Sequence, residues 1–318
     1  MFDTRSHLIL GAQQIMDFQP EMESLDSNST KDSLLVDFDG ILYPKETVKY
    51  WEEIQNFKAR PDDVLICTYP KAGTTWMQEI VDMIQHGGDP EKCAWAPIYQ
   101  RCPFIGISFL ISIPTSLENA EAMPSPRILK THFPVQHLPP SFWEQNCKII
   151  YVARNAKDNM VSYFHFHNMA SILQDSGSWE EFMENFIAGK VCWGSWSDHV
   201  QGWWKAKDRH PILYLFYEDI KEDPAREIQK IAQFLGIDLS APVLNRIVQH
   251  TKFENMKTNP LVNYSTLPTL FDQTVSPFMR KGIVGDWKEH LTVAQSEQLD
   301  NICARLFANS GLTFRTQL

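Results

Sequence analysis

Paired cysteines are missing from this chain. Its six cysteines, Cys67, Cys93, Cys102, Cys147, Cys192 and Cys303, form no CxxC unit and are irregularly spaced. That pattern argues against a disulfide framework or a cysteine-rich zinc site, and for free thiols in a reducing compartment. No apolar run approaches the roughly 20 residues of a membrane span. The N-terminus has Leu8, Ile9 and Leu10 but no cationic start and no long apolar stretch, so no signal peptide is expected and a cytoplasmic address follows. Positive charge is also short. Lys and Arg total 29 against 39 Asp and Glu, a net charge of -10. Such a chain repels nucleic-acid backbones and anionic membranes, so neither is expected as a partner. An anionic ligand would have to be met by a local cluster of cations.

With 43% hydrophobic residues in 318, the chain can bury a large core. Residues 1–33 stand apart. Their second half, from Glu21, is rich in Ser, Asp and Glu, and the segment is expected to be a flexible N-terminal extension to a domain spanning 34–318. Short β-prone runs fall at Val64–Tyr69, Arg127–His132, Lys148–Arg154 and Ile212–Tyr217. Helical patterns fall between and after them, at about 74–85, 157–167, 179–188, 197–207, 224–235, 242–250 and 293–307. The alternation predicts an α/β fold, a single domain whose central parallel β-sheet is flanked by helices. Ligands of such sheets bind beyond the carboxyl ends of the strands. Lys71, Lys130, Arg154 and Tyr217 all sit at or just past those ends.

Three stretches carry the chemistry. TYPKAGTTW (Thr68–Trp76) joins a strand to a helix in a P-loop-like strand–loop–helix. Gly73 permits close backbone approach, the helix start presents free N–H groups, Lys71 adds a full charge, and Thr74 and Thr75 add hydroxyls. The lysine precedes the glycine, so this is not the Walker pattern, and no carboxylate is evidently set aside for a metal. In YVARNAKDNMVSYFHF (Tyr151–Phe166), Arg154 closes a strand and Ser162 follows about two helical turns later. RKGIVGDWKEHLT (Arg280–Thr292) sets Arg280, Lys281 and Lys288 around Gly282 and Gly285. Singly, each stretch could equally be an ordinary turn: a glycine bend with a threonine cap, an Arg154–Asp158 pair, a solvated basic loop. A fourth, ILKTHFP, places Lys130 and His132 two residues apart and so on one face of a strand. That suits a proton acceptor beside a cation, or equally a structural histidine beside a lysine.

Taken together, and in this order, these stretches resemble the cytosolic sulfotransferase family, nearest its phenol (aryl) branch, over about residues 35–318. The resemblance implies PAPS (3'-phosphoadenosine 5'-phosphosulfate) as donor, no metal, and a small phenolic acceptor. It implies that Lys71, Ala72, Gly73, Thr74, Thr75 and Trp76 bind the donor, with Arg154, Ser162, Arg280, Lys281 and Gly282 at its 3'-phosphate. Tyr217, Thr251, Phe253 and Met256 would line the adenosine pocket. His132 would be the catalytic base, assisted by Lys71, Lys130 and Ser162. Tyr99, Phe104, Phe166, Met169 and Tyr264, with Lys130 and His132, would surround the acceptor. Lys288, Thr292, Val293 and Glu297 match a short dimer motif, KxxxTVxxxE, which implies a homodimer. Ala72 stands where the family commonly has serine and Leu291 where phenylalanine is common. Whether the acceptor is a simple phenol, a catechol, an iodothyronine or a steroid stays open. Two rivals share the sequence features: a Mg²⁺-dependent small-molecule kinase and a non-catalytic nucleotide-binding protein.

Overall fold

The computed structural model describes residues 34–107, 116–173 and 175–318. The N-terminal extension expected at 1–33 lies outside the described residues. The described chain opens with an antiparallel hairpin, β1 (Leu35–Phe38) and β2 (Ile41–Pro44), that the strand patterns did not reveal. Asp39 and Gly40 form its turn with φ of 56° and 75°, the left-handed pair that a two-residue hairpin requires. Short helices α1 (Lys45–Lys49) and α2 (Trp51–Gln55) lead to β3 (Val64–Thr68), every residue of which is buried.

After β3 come α3 (Thr74–Gln85), α4 (Ile98–Arg101), α5 (Ser116–Ala122), β4 (Ile128–Thr131), α6 (Pro140–Glu144) and β5 (Lys148–Ala153). Then follow α7 (Ala156–Met169), α8 (Trp179–Ile187), α9 (Trp196–Ala206), β6 (Ile212–Phe216), α10 (Tyr217–Glu222), α11 (Pro224–Leu235), α12 (Ala241–His250), α13 (Phe253–Thr258) and α14 (Val293–Phe307). The four long-range strands form one parallel sheet in the order β4-β3-β5-β6. The expected central parallel sheet is therefore present, with each strand a residue or two shorter than its β-prone run. Tyr217 is the clearest case, since it opens α10 and does not end β6.

The order of the sheet fixes where a ligand can sit. From β3 the chain crosses to β4 on one side. From β5 it crosses to β6 on the other. Adjacent strands whose connections leave in opposite directions open a crevice at their carboxyl ends. Here that crevice lies between the segments after Thr68 and after Ala153. At the opposite end of β4, the buried Arg127 is matched by Asp63, with Nε donating to Oδ1 at 2.8 Å, and by the backbone carbonyls of Ala120 and Lys58. A guanidinium this deep is tolerated because each of its three nitrogens has a partner and its charge is matched by Asp63. Among the described residues, no helix is long and apolar enough to cross a membrane.

Candidate active site

The segment after β3 holds an unusual backbone. Lys71 has φ of 67° and Gly73 has φ of 107°, both in the left-handed region. Gly73 is also pressed from outside: a Cβ there would lie 2.9 Å from Cδ2 of Tyr217. Only glycine suits the position on both counts. Thr74 and Thr75 open α3, and the Thr68 and Thr74 hydroxyls meet at 2.6 Å. The Asn159 side chain of α7 donates to the carbonyl of Pro70 at 2.9 Å and ties the loop down.

Cations converge on this loop. The Lys71 ammonium lies 4.5 Å from the Phe166 ring centroid and 4.2 Å from that of Phe278, and donates to the Phe278 carbonyl at 3.3 Å. Burial, with added repulsion from Arg154, Arg280 and Lys130, brings its pKa down to about 7. Arg154 is buried at the end of β5. It rests over the Tyr217 ring at 4.5 Å and donates to the carbonyls of Lys71 (3.2 Å) and Ile283 (3.3 Å). Tyr217 in turn meets Trp76 edge-on, with centroids 5.5 Å apart. Among the described residues, Arg154 Nε, Arg280 Nε and Trp76 Nε1 are buried donors without a partner. Mutually repelling cations and orphaned N–H donors fit a multiply charged anionic ligand.

The third basic stretch is held beside the first two by acids that the sequence patterns did not single out. Asp158 does not pair with Arg154. Its carboxylate accepts from the backbone N–H groups of Gly285 (2.9 Å) and Trp287 (3.1 Å) and from the Asn155 side chain (2.9 Å). Asn155 caps α7 and is itself fixed to Glu218 by backbone and side-chain bonds of 2.9 and 2.8 Å. Asp286 binds both Arg280 and Lys281, which hold its carboxyl below the usual range although burial opposes this. A Cβ on Gly282 would fall 2.2 Å from the Phe253 ring, so the start of α13 seats directly on this loop. Thr251 and Met256 are buried nearby in sequence, and the Thr251 hydroxyl is spent on the Ile247 carbonyl. Ser162 is half-buried in the second turn of α7.

On the β4 side, His132 Nδ1 is 2.7 Å from the Thr68 carbonyl. A carbonyl can only accept, so Nδ1 carries the proton and Nε2 presents a lone pair. Burial first, then the charge of Lys130, lowers the ring's pKa to about 3, and the imidazole is neutral at ordinary pH. Lys130 donates to the Tyr264 hydroxyl at 2.9 Å and lies 5.0 Å from the Phe104 ring centroid. Phe104 also meets His132 edge-on at 5.0 Å, so one ring joins the two candidate groups. Tyr99 approaches Tyr264 at 6.0 Å, and Tyr264 packs on Phe278 at 4.3 Å. Met169 is buried at the end of α7, one turn beyond Phe166. Two further aromatics belong here and were not foreseen: Phe278, and Trp193, which stacks on Phe104 at 5.7 Å and meets His132 at the same distance. No local pattern marks either one. Away from this cleft, Lys288, Thr292, Val293 and Glu297 are all exposed.

Fold and site together define an α/β protein built to hold a multiply charged anion at a sheet switch point, next to a neutral histidine with aromatic walls. Residues 61–311 match the sulfotransferase domain. The chain is 57% identical over 296 residues to Sulfotransferase 1C2 of Homo sapiens, covering 93% of this chain and 100% of that one. It is 52% identical to Sulfotransferase 1A1 of Mus musculus, covering 89% and 98%. Among solved structures it resembles mouse sulfotransferase SULT7A1 complexed with PAP (TM-score 0.71, 30% identity, 87% of this chain and 95% of that one). It also resembles retinol dehydratase complexed with retinol and PAP (TM-score 0.78, 26% identity, 87% and 90%). The chain belongs to the cytosolic sulfotransferase family, whose members take PAPS as the sulfuryl donor, and it is a PAPS-dependent sulfotransferase.

The Asp158 bonds generate a direct test. Asp158→Asn keeps the size of the side chain but replaces one of the two acceptor oxygens with a donor. Stability should fall by about 1–3 kcal/mol, the typical effect of leaving a buried hydrogen-bonding group unsatisfied. Urea unfolding checks this, and an unchanged midpoint removes Asp158 as the tie between α7 and the 280–287 loop.

Proposed function

We propose that the protein transfers the sulfuryl group of PAPS to the hydroxyl of a small phenolic acceptor, with His132 as general base. The observation that carries this reading is the Thr68 carbonyl bond to His132 Nδ1, which leaves the Nε2 lone pair available beside Lys130 and the Phe104 ring. The donor, when bound, supplies the sulfuryl group and a 5'-phosphate leaving oxygen. Its 5' end would be held by Lys71, by Thr74 and Thr75, and by the backbone of Ala72 and Gly73. Arg154, Ser162, Arg280, Lys281 and Gly282 would hold the 3'-phosphate, and Trp76, Tyr217, Thr251, Phe253 and Met256 the adenosine. The orphaned donors on Arg154, Arg280 and Trp76 support this assignment.

His132 Nε2 takes the proton of the acceptor hydroxyl as its oxygen forms the new bond to sulfur and the bond from sulfur to the 5'-phosphate oxygen breaks. Lys71 and Lys130 offset negative charge as it spreads, an electrostatic role that a dry site strengthens. The products are an aryl sulfate and adenosine 3',5'-bisphosphate (PAP). Tyr99, Phe104, Phe166, Met169 and Tyr264 would form the acceptor's walls, which suit a flat aromatic ring. Free cysteines and the family's character support a cytoplasmic address.

His132→Ala should lose about 10²–10⁴-fold in turnover of a nitrophenol, measured with EDTA present, while binding of PAP survives. Near-normal turnover would sink the general-base role.

Lys71 generates a pH prediction. Its free-state pKa is about 7, and a bound anion favours the protonated form and so raises it. Binding between pH 7 and 9 therefore takes up a proton, and PAP affinity should fall by up to about tenfold per pH unit across that range. Lys71→Met should flatten the profile. A wild-type affinity that is level from pH 7 to 9 contradicts the lowered pKa.

A homodimer through Lys288, Thr292, Val293 and Glu297 belongs to the same reading. Val293 is 76% exposed, an uncovered apolar side chain at the first turn of α14. Sedimentation should show a dimer that Val293→Glu converts to monomer, and a monomeric wild-type protein rejects the interface.

A further inference from the structure

Three metal-ligating side chains of different chemistry meet at the end of α3 farthest from the donor loop. Asp82 and His86 are four residues apart and share one helix face. Cys93 returns to that face through a turn in which Gly87 and Gly88 both take positive φ, 64° and 74°. His86 Nδ1 lies 3.1 Å from Asp82 Oδ1 and 3.9 Å from Cys93 Sγ, and all three donor atoms fall within 4.8 Å of one another. A tetrahedral zinc ion with N or O at about 2.0–2.1 Å and S at about 2.3 Å separates its donors by about 3.3–3.6 Å. The two His86 spacings, 3.1 and 3.9 Å, straddle that range, and binding would draw the three donors together around the ion.

We propose that Asp82 Oδ1, His86 Nδ1 and Cys93 Sγ form a binding site for one borderline-soft divalent cation, zinc above all, with water in the fourth position. The surroundings fit the role. Arg101, 2% exposed, engages the other oxygen of Asp82 and donates to Glu79 at 2.8 Å, while Glu79 also meets His250 at 2.7 Å. Glu79 thus matches the arginine's charge. The guanidinium then fixes the outer oxygen of Asp82 and leaves Oδ1 toward the ion, as outer-shell partners of metal ligands commonly do. Asp82 and the Cys93 thiolate together neutralise a divalent ion. Cys93 gives its proton to solvent on binding. His86, whose Nδ1–H now donates to the Asp82 carbonyl at 2.9 Å, presents the lone pair of that nitrogen and moves the proton to Nε2. The partly exposed imidazole is the entry path.

The ion takes no part in sulfuryl transfer. Asp82 and His86 lie 8 and 12 residues beyond Thr74, about 12–18 Å along the helix. What it braces is the 93–101 segment, because Arg101 ends α4 and its Nε holds the Ala96 carbonyl at 2.8 Å.

The full-length protein, dialysed against a chelator and then freed of it, is titrated with Zn²⁺ and separately with Co²⁺. One equivalent of zinc should bind, and cobalt should show tetrahedral visible bands with thiolate charge-transfer absorption. Cys93→Ser should abolish the charge-transfer band. Cys93→Ser and His86→Gln should each weaken zinc binding at least as much as loss of an outer-shell partner does, about 10–100-fold. PAP binding, unaffected in both variants, reports that they are folded and keeps this result separate from the fate of the catalytic reading. Absence of zinc binding by the wild type overturns the site, and so does wild-type affinity in the folded variants, which would put the ion on other thiols.

Discussion

The charge repulsion among Lys71, Arg154, Arg280 and Lys130 is the constraint around which the rest of the molecule is arranged. Like charges packed into a partly dry cleft disfavour the folded protein, and the fold must hold them there by other means. The switch-point topology does the first part, bringing the ends of β3 and β5 together so that Lys71 and Arg154 are neighbours although far apart in sequence. Acids do the second part from behind. Asp286 binds Arg280 and Lys281. Asp158 and Glu218 hold backbone N–H groups and Asn155, which leaves the cationic faces toward the cleft. The net charge of -10 belongs to the chain as a whole, and cations nevertheless converge at this place.

The two halves of the site differ in what positions them. On the Lys71–Arg154 side, hydrogen bonds from α7 and from the 280–289 loop set the geometry. On the His132 side, ring contacts do: Phe104 between Lys130 and His132, Trp193 against both Phe104 and His132, Phe278 against Lys71 and Tyr264. Donors with fixed directions hold a ligand of one shape. Apolar ring walls impose few directional demands, so on the proposed reading one donor would be combined with a range of flat acceptors on the same scaffold.

Much of this was legible before any coordinates. Residues 74–85, 224–235 and 293–307 form the expected helices with the expected bounds; the last two begin at side-chain caps, Asp223 and Thr292, and the first begins at the Gly73 bend. Lys71, Lys130, Arg154 and His132 stand where motif and strand ends put them. The β1–β2 hairpin escaped notice although Asp39-Gly40 is a strong turn signal, because its strands have only four residues each and show no clean alternation. Asp158, Glu218, Asp286, Trp193 and Phe278 escaped for another reason. Asp158 reaches Gly285 and Trp287 more than 120 positions later in the chain, and no local spacing encodes such a pairing. Asp158 lies inside a recognised motif, but its proximity to Arg154 pointed to the wrong partner.

Gly73, Tyr217, Arg154 and Trp76 form one stack. The missing Cβ of residue 73 makes room for the Tyr217 ring, the ring carries the guanidinium on one side, and Trp76 meets its edge. Residues that share one partner in this way do not contribute independently. A larger side chain at position 73 would be harmful beside tyrosine yet tolerable beside a smaller residue at 217, provided its backbone strain were relieved. The order of change at these positions therefore matters: a smaller residue at 217 has to precede a larger one at 73, because the reverse order passes through the clash.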